Sequence, residues 1–336
     1  NYYNTLYKSK MILLTGSAGY IGSHISHIFE KNKIKYIGID NLSKSSINNI
    51  VNKKRFLKLN YGNENKTTKL FANNSVSSVI HCAAYAYVLE GERKKKIYFN
   101  NNVNQTKKFI NECIKKKIQN FIFLSSSNVY KDSNKKKIEN SKIKISHIKN
   151  KYGKTKFLIE KFLISKKKNF KNLIILRLFN IAGYTDDLKY SERKIDKNLR
   201  IFPLIFKRIL KKKTITIYVK NKNNRLIYPK RDYLHINDLL NLVIKIIKKL
   251  NKLNKKEIYN VGMGVNYSLN EILTLINKKL SINMKKNLKL RYEKIDTKEV
   301  ISTLSDVKKT SKTFNWKPKN SIDKIISSCI NNFSKF

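Results

Sequence analysis

The sequence predicts an α/β fold, a doubly wound parallel sheet followed by a smaller C-terminal lobe. Three observations carry this reading. Short apolar runs ending in small or polar residues recur from residue 11 to residue 183: "MILLTG", "KYIGID", "SVSSVIHCAA", "NFIFLSSS" and "NLIILRLFNIAG". Between them lie helical stretches such as "VNQTKKFINECIKKKI", where Phe109, Ile110, Cys113 and Ile114 recur at three- and four-residue intervals. The small and polar clusters fall at strand C-termini, which is where such sheets bind ligands.

Taken in order, the first ten residues, "NYYNTLYKSK", lack the apolar core of a signal peptide and read as a short extension, 1–10. A strand begins near Met11, and a glycine-rich turn leads from it into a helix expected to reach about Asn32. "KYIGID", 35–40, is a second strand and ends on an acid. The runs at 75–84, 120–127 and 172–183 repeat the form. After about Gly183 the pattern loosens, as for a partly separate lobe. "RDYLHINDLLNLVIKII", 231–247, restores an amphipathic helix after an Asn/Asp start. "KNKNNR" and "KDSNKKK" read as solvated loops. The expected division is 11–181 with 232–262 for the sheet domain, and 182–231 with 263–333 for the lobe.

Composition narrows the function classes. A chain of 336 residues with 41% hydrophobic content is globular and large enough to bury a substantial core. No window approaches 18 uninterrupted apolar residues, so no membrane partner is expected. Cys82, Cys113 and Cys329 share no metal-ligand spacing and cannot all pair, which points to a reducing, cytoplasmic setting. The formal charge of +51 has the size of a nucleic-acid footprint. However, only nine of the 73 basic residues are Arg, and the Lys are spread along the chain among abundant Asn, Ile and Tyr. Compositional bias accounts for that pattern. No specific nucleic-acid partner is expected, although non-specific affinity for polyanions can accompany such charge. His24 and His27 share a helix face without a third ligand, His81 reads as a packed strand-end residue, and no metal is expected.

Gly16, Gly19 and Gly22 form G-x-x-G-x-x-G between a strand and a helix. Glycine there lets the backbone turn tightly and approach a pyrophosphate, whose charge the helix N-terminus stabilises. Asp40 lies at the end of the next strand, 18 residues beyond Gly22. A carboxylate at that place accepts from ribose hydroxyls and repels a 2′-phosphate, so the sheet is of Rossmann type and NAD is favoured over NADP.

The motif Tyr-x-x-x-Lys occurs three times, at Tyr152, Tyr190 and Tyr218. On a helix that spacing puts both residues on one face. A phenol, with a pKa near 10, becomes a usable base only when its phenolate is stabilised, as a neighbouring ammonium would do. Of the three, Tyr152 with Lys156 opens an apolar-faced helix and follows the serines of "FLSSSNVY", 123–130. Those serines either present a hydroxyl to a substrate oxygen or simply end the strand.

Together, "TGSAGYIGSH", "DNLS", "IHCAAYAYV", "NNNV", "SSSNVY", "YGKTK", "LRLFNIAG" and "RDYLHINDL" occur in the order and spacing of the extended short-chain dehydrogenase/reductases. The chain resembles most closely the UDP-glucose 4-epimerases, over about residues 11–320. The resemblance implies that Tyr152 is the general base, Lys156 its activator and ribose ligand, and Ser126 the hydroxyl assisting at the sugar O4. Gly16, Gly19, Tyr20, Ile21, Gly22, Asp40, Asn41, Asn60, Tyr61, Ala83 and Asn102 fall at cofactor-contacting positions. Asn180, Arg231 and Thr303 fall at positions that hold the nucleotide-sugar, together with Ser126. The implied chemistry is a transient oxidation at C4 by tightly bound NAD, rotation of the 4-keto sugar, and reduction on its other face. A homodimer through the helices after "NNNV" and from "YGKTK" is implied as well.

The chain departs from the family pattern at several places. Asn60 replaces an Asp, Lys131 a Gly, Lys151 a Pro, and Leu178 a Tyr found in many epimerases. "NNRLIYPKRDY" lacks an acidic segment before Arg231. Asp296 stands where a diphosphate-binding Arg is usual, with Lys298 or Arg291 as possible substitutes, and the small Thr303 suggests room for an N-acetyl group. A 4,6-dehydratase needs an Asp-Glu pair where Ser127 and Asn128 stand. A UDP-uronate epimerase or decarboxylase is also compatible with these residues, as is a non-catalytic NAD- or polyanion-binding relative.

Overall fold

The computed structural model describes residues 11–186, 200–222, 225–294 and 300–333. In chain order the elements begin with β1 (Met11–Thr15), α1 (Tyr20–Lys31), β2 (Tyr36–Asp40), β3 (Phe56–Lys58), α2 (Glu64–Ala72) and β4 (Val76–His81). Next come α3 (Val88–Arg93), α4 (Lys95–Phe99), a π-helical turn at Asn100–Gln105, α5 (Thr106–Lys115), β5 (Asn120–Ser126), α6 (Lys151–Ser165) and β6 (Asn172–Leu178). They are followed by β7 (Asn180–Ala182), α7 (Ile201–Leu210), β8 (Ile215–Lys222), β9 (Arg225–Ile227), β10 (Lys230–His235), α8 (Ile236–Lys249) and β11 (Lys256–Val261). The chain closes with β12 (Asn266–Ser268), α9 (Leu269–Lys279), α10 (Ile282–Lys285), β13 (Leu290–Lys294), α11 (Lys308–Phe314) and α12 (Ile322–Phe333).

Seven strands form one sheet in the order β11-β6-β5-β4-β1-β2-β3, with parallel pairing of β1 to β2 and β4, of β2 to β3, and of β4 to β5. This is the doubly wound α/β arrangement that the strand–helix alternation predicts. Its register positions the chemistry. Thr15 lies opposite Ile39 on one side and His81 on the other, and His81 lies opposite Phe123. Gly16, Asp40, Cys82 and Leu124 therefore lie at one level, toward the sheet's carboxyl edge.

The chain forms two compact units. The first comprises the described parts of Asn1–Ser126, Lys151–Arg177 and Val243–Tyr259. Its core packs Leu13, Val79, Phe109, Phe121, Phe123, Ile159 and Leu163, all buried. His81 sits among these aromatics, with its ring 5.4 Å from Phe109 and 6.0 Å from Phe123, and its Nδ1 is 2.9 Å from Thr15 Oγ1.

The second unit comprises Ser127–Asn150, Leu178–Leu242 and the described parts of Asn260–Phe336. It holds two three-stranded sheets, β12-β10-β7 and β13-β8-β9, around a core that includes Phe202, Phe206, Ile217, Ile272 and Ile325.

Three sequence expectations are corrected in detail. The helix read over 231–247 begins only at Ile236 and runs on to Lys249, and the residues before it form β10, paired parallel to β7 and antiparallel to β12. Arg231 therefore belongs to a strand. "KDSNKKK" is not a free solvated loop: the Asp132 carboxylate accepts from the Ile301 and Ser302 amides and pairs with Lys149 at 2.7 Å, while Lys137 is buried with its ammonium on Ser133. Within "KNKNNR", Lys220, Asn221, Lys222 and Arg225 belong to the β8–β9 hairpin.

Burial, aided by the Lys156 charge, pushes the His81 pKa down to about 3. The unfolded chain, with His near 6.5, then binds a proton that the folded chain refuses, so His81 lowers stability as pH falls below 6.5. The slope is about 1.4 kcal/mol per pH unit. His81→Phe should flatten the acid side of the stability curve by about that much between pH 6 and 4, measured by urea unfolding; an unchanged slope would show that His81 is protonated in the fold.

Candidate active site

Thr15 ends β1 and Gly16 follows with φ +69°, a left-handed conformation suited to glycine. A Cβ on Gly16 would lie 2.8 Å from the Ala83 backbone, and one on Gly22 would lie 2.0 Å from Gly16 O. The loop is thus packed against both Ala83 and the first turn of α1, with no room for a side chain at Gly16 or Gly22. Gly19 is the N-cap of α1, whose first turn carries no acidic residue, so the helix N-terminus is electrostatically open to a phosphate. Tyr20 and Ile21 complete that turn.

Asp40 braces the loop from β2. Its carboxylate accepts from Ala18 N at 3.2 Å, Leu42 N at 2.8 Å and Ser45 Oγ at 2.8 Å. Burial raises its pKa, and these hydrogen bonds act against that rise. Asn41 Oδ1 accepts from Ser43 N and Ser43 Oγ. Asn60 caps its own turn by accepting from Gly62 N at 2.9 Å. The Tyr61 side chain is turned into the core, donating to Asn101 O at 2.7 Å. Asn102, inside the π-helical turn, clamps the segment after β4: it accepts from Tyr85 N and donates to Tyr85 O, both at 2.9 Å, and also donates to Thr155 on α6.

A glycine cradle at a helix N-terminus, a strand-end acid beside it and a clamped segment after the third neighbouring strand end together fit a dinucleotide. Composition could not reveal one further feature. Lys44, after β2, pairs at 2.6 Å with buried Glu90, after β4, which also bonds Tyr98. The two loops flanking the glycine loop are thereby joined.

The second group of residues gathers where β5 meets α6. Tyr152 and Lys156 lie four residues apart on α6 and are both buried, and Ser126 is the last residue of β5. The Lys156 ammonium donates to Leu124 O at 2.7 Å and lies 4.7 Å from the Phe123 ring centroid and 6.0 Å from that of Tyr152. Burial lowers the Lys156 pKa to about 8, while the carboxylate of Glu160 acts to raise it. Lys151 stands where the family pattern has Pro, and its N–H is put to use, donating to Glu92 Oε1 at 2.7 Å. Thr155 Oγ1 in turn donates to Tyr152 O, linking the helix start to Asn102. Of the remaining Tyr-x-x-x-Lys matches, Tyr218 is exposed on β8 and Tyr190 lies outside the described residues.

In the second unit, Asn180 opens β7 opposite Tyr233 of β10. Arg231 on β10 directs Nη1 toward Lys230 O and Ile301 O, at 3.2 and 3.4 Å. Thr303 Oγ1 accepts from Asp232 N at 3.1 Å. Asp232 itself is buried and accepts from Met263 N, Gly264 N and Ser305 N, which ties the segment 303–305 to β10. Arg291 is exposed and paired with Glu293 at 2.5 Å, whereas Asp296 and Lys298 lie outside the described residues. Among the described residues no three His, Cys, Asp or Glu cluster to hold a metal.

The chain is similar to known proteins. Residues 12–262 match the NAD dependent epimerase/dehydratase family. A UDP-glucose 4-epimerase of Dictyostelium discoideum is 28% identical, over 91% of this chain and 90% of that protein. A probable UDP-arabinose 4-epimerase of Oryza sativa subsp. japonica is 27% identical, over 91% of this chain and 77% of that protein. The crystal structure of UDP-glucose 4-epimerase from Bifidobacterium longum in complex with NAD+ and UDP shares the fold, with a TM-score of 0.86 at 24% identity, covering 97% of this chain and 98% of that one.

Overpacking a tight site costs about 1–3 kcal/mol. Gly22→Ala, which forces a methyl group onto Gly16 O, should therefore weaken NAD binding about tenfold or more in calorimetry. Unchanged affinity would show that the loop does not form the cradle.

Proposed function

The chain belongs to the NAD dependent epimerase/dehydratase family, and from that premise we propose that it is a UDP-glucose/UDP-galactose 4-epimerase working with tightly bound NAD. The observation that carries the reading is the buried ammonium of Lys156 beside the Tyr152 ring, held by the carbonyl of Leu124 two residues before Ser126. A base that must work near neutral pH needs its phenolate stabilised, and this ammonium does so in a site shielded from water.

Bound NAD supplies the chemistry that the side chains lack, a reversible hydride acceptor at the sugar C4. The glycine loop, Asp40, Asn41, Asn60, Ala83, Asn102 and the backbone of Tyr61 would hold and orient it, and Lys156 would bind its ribose. Tyr152 takes the proton of the 4-hydroxyl as the 4-keto sugar forms, and returns it after the sugar has presented its other face. Ser126 hydrogen-bonds O4 and keeps it within reach of Tyr152. Asn180 and Arg231 hold the nucleotide and its diphosphate, and Thr303 lines the sugar region. The proposed division of labour puts NAD on 11–181 and 232–262, and the nucleotide-sugar on 182–231 and 263–333 with Asn180 and Ser126 reaching it from the first range.

Relatives named as UDP-glucose 4-epimerases support the hexose. Others named as UDP-arabinose 4-epimerases make a pentose the competing substrate. A dehydratase would lack its acid pair at Ser127 and Asn128. A homodimer is part of the proposal, and exposed Ile97, Phe99 and Ile164 on α4 and α6 suit one. So is a cytoplasmic location, consistent with three free thiols.

The purified chain should convert UDP-galactose to UDP-glucose without added NAD, faster than it acts on UDP-arabinose. Tyr152→Phe should lower the rate about 100-fold or more. Preference for UDP-arabinose would reassign the sugar, and an unaffected Tyr152→Phe variant would remove the assigned base.

A further inference from the structure

Tyr152, Lys156 and Glu160 recur at four-residue intervals and so form one stripe of α6. The third member has no part in the chemistry above, yet it is almost fully buried. Its carboxylate takes a two-pronged contact from Arg177 on β6: Nε lies 3.0 and 3.2 Å from its two oxygens, and Nη2 lies 2.7 Å from Oε2. It also accepts from Ser125 Oγ at 2.5 Å. Arg177 and Glu160 are 4% and 1% exposed, so this ion pair is taken wholly out of water.

The consecutive residues of β5 give this network its meaning. Leu124 O receives the Lys156 ammonium, Ser125 Oγ binds Glu160, and Ser126 is the hydroxyl assigned to the sugar O4. Two adjacent strand residues therefore fix two adjacent turns of α6, and the third carries the substrate contact. A buried ion pair is a costly way to join a helix to a sheet, since apolar residues of similar volume often serve as well or better. Its presence calls for a role that apolar packing would not fill.

Resting on the assignment of Tyr152 and Lys156 made above, we propose that Glu160 is a positioning residue. Clamped by Arg177 and Ser125, it holds the Lys156 ammonium charged and in register against β5, at the place from which it acts on Tyr152. The groups facing Lys156 make Glu160 the carboxylate suited to this. From α6 come Tyr152 and Glu160, and from β4 and the residue after it come His81 and Cys82, both kept uncharged by burial. β5 contributes the Leu124 carbonyl and the Phe123 ring. Arg177 faces Glu160, and Tyr98 on α4 lies within electrostatic reach of Tyr152. Removing the carboxylate lowers the proton affinity of Lys156, so the site loses its cation at lower pH.

The test compares wild type with Glu160→Gln, with Ser125→Ala, which removes one hydrogen bond and little volume, and with the double variant Glu160→Met/Arg177→Met, in which packed apolar groups replace the pair. Two readouts follow the alkaline limb: NAD affinity of the stripped chain by calorimetry, and kcat and KM for UDP-galactose. Thermal midpoints are recorded alongside. In Glu160→Gln the limb should move down by about one pH unit, the size expected for loss of one nearby opposite charge, and the double variant, which removes the Arg177 charge as well, should move it less. Ser125→Ala should move it less, in the same direction. At pH 8, kcat should fall several-fold with KM little changed, while the thermal midpoint of the double variant returns toward wild type. A Glu160→Gln variant with no shift, or a Ser125→Ala variant that shifts the other way, overturns the proposal and leaves the pair a purely structural one. If wild type turns over no UDP-sugar but the NAD limb still shifts, the sugar assignment fails and the role of Glu160 stands.

Discussion

Keeping the Lys156 ammonium inside the protein is the constraint on which the rest of the site depends. Removing a cation from water costs several kcal/mol, so the charged form survives only where the surroundings compensate. Here the compensation comes from the Leu124 carbonyl, the faces of Phe123 and Tyr152, and the carboxylate of Glu160 one turn along the helix. These are parts of β5 and α6, so the requirement fixes how helix and strand meet. Tyr152 and Ser126 are carried into place by the same contact.

The same economy operates at the other strand ends. Parallel registration brings Gly16, Asp40, Cys82 and Leu124 to one level, and each loop that leaves that level is tied to a neighbour. Asp40 holds the glycine loop, Asn102 holds the segment after β4 and reaches α6 through Thr155, and Lys44 bridges to Glu90. In the second unit Asp232 does comparable work, gathering the backbone at 263–264 and 305 around the strand that carries Arg231. Buried carboxylates satisfied by backbone amides are a rigid form of loop anchor, because each lost hydrogen bond would leave an unpaired buried group.

Much of this was legible in the sequence, and the exceptions have physical reasons. The alternation of apolar runs and helical periodicity specifies the seven-stranded sheet, because strands buried on both faces admit little but apolar residues. The glycine triplet and Asp40 stand out because only glycine suits the positive φ of Gly16 and the close approach at Gly22. Strand β10 was hidden because "RDYLH" carries charged and polar residues whose burial is made possible by partners distant in sequence, such as Ser305 for Asp232. The anchoring of "KDSNKKK" was hidden for the same reason, since Asp132 is satisfied by amides about 170 positions away. Glu160 and Arg177 read as ordinary polar members of a helix and a strand. Only the juxtaposition of α6 and β6 turns them into a pair.

In the proposed reaction the sugar is oxidised at C4 and reduced again without leaving the site. UDP-galactose deuterated at C4 tests this most directly, with the UDP-glucose formed in ordinary water analysed by mass spectrometry and NMR. The deuterium should remain at C4 of the product, and turnover should be slower than with the unlabelled sugar. Loss of the label to solvent would contradict the proposed reaction, since it would mean that C4 gives up a proton to a base and that the Tyr152–Lys156 pair has been assigned the wrong chemistry.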